Sequence, residues 1–68
     1  MMTAIDARSR LWRLQAERLD AVEAGLGANI AYMTGLHDDI AAARAAYVGL
    51  AMTEAATLRA ELWGAQRG

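Results

Sequence analysis

The chain has 68 residues and a formal net charge of −1, with no cysteine and no proline. At that size a lone apolar core stabilises little. The absence of cysteine excludes a disulfide framework and a thiolate zinc site, and the near-neutral charge supplies no bulk field for nucleic acid or a membrane.

Alanine provides 17 residues and leucine 8, phenylalanine is absent, and β-branched residues are few, which is helix-forming composition. All seven basic residues are Arg; the alanine richness and this usage fit a GC-rich coding bias. Met1-Met2-Thr3-Ala4 leads into charged residues without the order of a secretory signal, and Glu23, Arg44 and Glu54 interrupt the most apolar windows. A cytoplasmic protein without a membrane span is therefore expected.

In chain order, Thr3 with Asp6 three residues later approximates a capping box and starts a helix expected over about 3–34. Gly25 and Gly27 fall inside that helical pattern. Thr34-Gly35-Leu36-His37-Asp38-Asp39 reads as the turn, about 35–38, with Gly35 ending the first helix and Asp38 or Asp39 capping the next. A second helix follows over about 39–63 and stops at Gly64. The expected fold is all-α: an antiparallel two-helix hairpin in one domain, 1–68, assembling into a four-helix or larger bundle. The alternative is one long continuous helix in a coiled coil, since Gly35 in mid-helix costs only about 1 kcal/mol relative to Ala.

Two stripes run along each expected helix. Small residues recur at Ala21, Ala24, Ala28, Ala31 and Gly35, and again at Ala42, Ala46, Gly49, Thr53, Ala56 and Ala60. Both follow the spacing of a coiled-coil seam, and a turn at 36–37 sets Ala31 against Ala42 and Ala24 against Gly49 as a close-packed seam. The same register brings Arg18 toward Glu54. Roughly opposite stand Leu19, Val22, Leu26, Ile30 and Met33, then Ile40, Tyr47, Leu58 and Leu62, a stripe expected to face a second copy or another protein. Helices apolar on two sides need neighbours on two sides.

Little chemistry is available. His37 beside Asp38 and Asp39 suggests helix capping rather than a metal site, because consecutive turn residues rarely converge on an ion. No Glu has a His three residues on, so the di-iron bundle pattern fails. Ser9 has no histidine nearby, and Gly25-Leu26-Gly27 does not follow a strand. No enzyme, metal, cofactor or small-molecule substrate is expected. Arg8, Arg10 and Arg13 around Trp12 form one basic cluster able to contact phosphates and stack on bases, although Asp6–Arg10 and Arg13–Glu17 are spaced as ion pairs on a solvated helix. Trp12 and Trp63 would close the open end of the hairpin or mark a partner contact.

The function expected is protein–protein interaction, self-associating: an adaptor, stoichiometric inhibitor or structural subunit, of bacterial or phage type. The alternative is a nucleic-acid-binding regulator similar in shape, not in motif, to the small Rop-type hairpins. It would use Arg8, Arg10, Trp12 and Arg13.

Overall fold

A computed structural model describes residues 1–64 as two antiparallel helices joined by a 3-10 turn. Helix α1 is Ala4–Glu23, the 3-10 turn is Leu26–Ala28, and α2 is Ile30–Gly64.

Helix α1 begins at the capping box expected. The Thr3 hydroxyl accepts from Asp6 N–H at 3.2 Å and the Asp6 carboxylate accepts from Thr3 N–H at 3.1 Å. The helix ends where Gly25 takes a left-handed φ of 86°, a conformation that a Cβ makes costly. Gly25 N–H donates to the Val22 carbonyl at 3.1 Å, and the chain turns through Leu26–Ala28. Asn29 then caps α2, its side-chain oxygen accepting from Tyr32 N–H at 3.0 Å, the usual reach of an N-cap to the third helical residue.

The turn therefore lies at 24–29, not at 35–38. Helix α2 runs unbroken through Gly35, His37, Asp38 and Asp39, because Leu36 and Ile40 are buried against α1. That burial outweighs the modest cost of a mid-helix glycine. The hairpin is consequently lopsided. Helix α1 has 20 residues and α2 has 35, or about 30 Å against about 52 Å at 1.5 Å per residue.

A single ladder on each helix makes the seam. On α1 it comprises Ala4, Ala7, Leu11, Leu14, Arg18 and Ala21; on α2 it comprises Met33, Leu36, Ile40, Ala43, Tyr47 and Leu50. All twelve are buried or half-buried. Both ladders step by alternating three and four residues, the spacing of an antiparallel coiled-coil contact. Leu11, Leu36, Ile40 and Ala43 form the central cluster, with Leu14 and Tyr47 packed on it. Run antiparallel, the ladders put small opposite large at several levels, Ala7 with Tyr47, Leu11 with Ala43 and Ala21 with Met33, while Leu14 falls level with Ile40. Two hydrogen bonds bracket the seam. Ala4 N–H donates to Glu54 Oε2 at 2.8 Å, and the Tyr32 hydroxyl donates to Glu17 Oε1 at 3.3 Å.

The small-residue register does not survive this geometry. Ala31, Ala42, Ala46 and Gly49 all belong to α2, so none can meet another across the hairpin. Of the nine Ala and Gly positions assigned to a close-packed seam, Ala21 alone is buried; Ala24, Ala28, Ala31, Ala42, Ala46, Gly49, Ala56 and Ala60 are exposed in the single chain. Arg18 and Glu54 are also apart: Glu54 binds the first turn of α1, and Arg18 lies some 20 Å further along that helix beside His37 and Ile40.

Candidate interaction surfaces

Each helix carries two further ladders flanking the seam, and they give the hairpin two different faces. One face is formed on α1 by Ile5, Arg8, Trp12, Gln15, Leu19 and Val22, and on α2 by Thr34, His37, Ala41, Arg44, Val48 and Ala51. Gln15, Arg18, His37, Ile40, Ala41 and Arg44 line its central groove. The Arg8 guanidinium carbon lies over the Trp12 ring, 4.7 Å from its centroid, a cation–π attraction between neighbours on one helix face. No Asp or Glu occupies either ladder of this face.

The opposite face joins the charged ladder of α1 to the small ladder of α2. Asp6, Arg10, Arg13, Glu17 and Asp20 stand beside Tyr32, Gly35, Asp39, Ala42, Ala46 and Gly49. Ala42, Ala43 and Ala46 leave a shallow groove that Met2, Ala7 and Arg10 complete. A second hollow lies between Glu17, Tyr32 and Asp39. Partial desolvation and the neighbouring Glu17 carboxylate, which also accepts the phenol's hydrogen bond, raise the Tyr32 pKa.

Past Leu50, α1 has run out and α2 continues alone. Its seam ladder turns polar there, as Glu54, Thr57 and Glu61, while the acid-free flank stays apolar as Ala55, Leu58 and Leu62. Leu58, Leu62 and Trp63 are 56%, 58% and 64% exposed. This overhang, Ala55–Gly64, adds about 15 Å of single helix.

The residues expected to meet a partner divide accordingly. Leu19, Val22, Leu26, Ile30, Leu58 and Leu62 are exposed. Ile40 is buried, and Met33 and Tyr47 are half-buried, in the hairpin's own seam, so those three are committed to the fold. The basic cluster also divides. At about 100° per residue, Arg8 and Trp12 share the acid-free face while Arg10 and Arg13 stand beside Asp6 and Glu17 on the other. Arg18, His37 and Arg44 join the first pair through the fold, which a window of adjacent residues does not reveal. Trp12 and Trp63 are both exposed.

Among the described residues no group of three or more His, Cys, Asp or Glu gathers as a metal site, and no helix is long and apolar enough to cross a membrane. Comparison with protein-family models, curated proteins and solved structures finds no match to this chain.

Proposed function

We propose that this chain is a small helical protein–protein interaction module that self-associates, and that it acts as an adaptor, inhibitor or structural subunit within a larger assembly of the cytoplasm. The observation that carries this reading is the unpartnered overhang of α2, where Leu58 and Leu62 stand more than half exposed side by side on one flank, with Trp63 exposed further around the helix. Single exposed apolar residues are ordinary, but contiguous ones mark contact surfaces. The surface area supports it. The chain exposes 5295 Å², whereas a compact protein of 7.3 kDa exposes about 4,200 Å².

Equilibrium sedimentation of the full chain tests the proposal, alongside thermal melting followed by circular dichroism at several concentrations. Self-association predicts a mass above the monomer and a midpoint that rises with concentration. A monomer whose midpoint is independent of concentration overturns it. Tight, salt-sensitive binding of RNA by that monomer would favour the nucleic-acid alternative, built on Arg8, Trp12, Arg18 and Arg44 rather than on the contiguous Arg8–Arg13 cluster.

A further inference from the structure

Resting on the self-association reading, we infer that the C-terminal half of α2 pairs with the same segment of a second copy, antiparallel, about a two-fold axis near Thr53. A two-fold contact must be self-complementary, residue i meeting j while j meets i. The acid-free flank of α2 meets that condition. Reversed on itself about Thr53, its ladder sets Val48 opposite Leu58, Ala51 opposite Ala55, and Arg44 opposite Leu62. Alanines fall at the centre, where the two axes come closest, and larger side chains fall on either side. Val48, Leu58 and Leu62 are all exposed in the single chain.

Charge points to the same occupant. The flank carries Arg44, with Arg8 of α1 close to the same level, and contributes no carboxylate of its own. In the paired arrangement Glu61 of the second copy, next to Leu62, arrives beside Arg44. Glu61 stands on the seam ladder beyond the end of α1, where no residue of its own α1 faces it. Beyond Leu50 the seam ladder turns polar and no longer suits an apolar neighbour, so the apolar contact surface moves to the flank. Each copy thereby gives the other's overhang the helical neighbour that its own α1 does not reach.

The test is a charge exchange read by equilibrium sedimentation of the full chain. Arg44→Glu and Glu61→Arg should each raise the dimer dissociation constant about tenfold, and the doubly exchanged Arg44→Glu/Glu61→Arg chain should recover most of that loss. Circular dichroism at a common concentration checks that the exchanged chains remain helical. An independent measurement uses the absence of native cysteine. Val48→Cys mixed with Leu58→Cys should cross-link through a short bismaleimide more readily than either variant alone. A wild-type dimer indifferent to the single exchanges, or one without recovery in the double exchange and without preferential cross-linking of the mixture, overturns this interface and leaves self-association standing. A wild-type chain that is monomeric throughout overturns both.

Discussion

At the scale of single residues, the glycines carry opposite expectations. Gly25 holds a positive φ at the end of α1, so Gly25→Ala should destabilise the hairpin by about 1–2 kcal/mol, read by urea unfolding. Gly49 is different: a methyl group there meets nothing within 4 Å, and the residue is helical. Gly49→Ala should stabilise by about 0.5–1 kcal/mol, the reverse of what a close-packed seam at that position requires. Tyr32 supplies a pH test. Its phenol donates to Glu17 and its pKa is raised, so the neutral form is favoured in the folded chain. The contribution is fully present below the ordinary tyrosine value of about 10 and is lost as pH rises through the raised folded value. Ultraviolet titration should show a late-ionising tyrosine that shifts earlier in Glu17→Gln. Of these local features, the Thr3–Asp6 cap was legible in the sequence because both partners lie within one turn. The Gly25 and Asn29 signals were equally local, yet Gly35 followed by Asp38 and Asp39 offers the same residue types in the same order. Nothing short-range separates the two candidate turns.

At the scale of the helix, the decision falls to the seam, and its composition explains why it escapes a reading by residue size. At several levels a small side chain faces a large one, Ala7 against Tyr47 and Leu11 against Ala43, so sorting the apolar residues into a small stripe and a large stripe divides the true ladder between them. Arg18 completes the concealment: a charged residue at a seam position reads as surface, although its aliphatic stem is half-buried while the head reaches water. The spacing itself was readable, since both ladders keep the coiled-coil step. Ile40→Ala in that seam should cost about 2–4 kcal/mol. Val48→Ala, on the flank, should cost little at concentrations where the chain is monomeric and weaken association where it is not. Comparing urea unfolding of the two variants at high and low concentration separates seam from flank. Glu54 ties the first turn of α1 to α2 through Ala4 N–H; Glu54→Ala should therefore cost about 0.5–1.5 kcal/mol and increase amide exchange at the start of α1.

At the scale of the whole molecule, the unequal helices make a rod measuring 60 × 16 × 15 Å. Its radius of gyration is 17.2 Å, where a compact chain of this length has about 11 Å; a compact chain needs about 220 residues to reach the observed value. Diffusion senses that length. A single copy should tumble anisotropically and leave a gel-filtration column ahead of a globular standard of equal mass. Elution volume thus counts shape as though it were subunits. Light scattering, which weighs the particle, should return a smaller number of copies from the same peak.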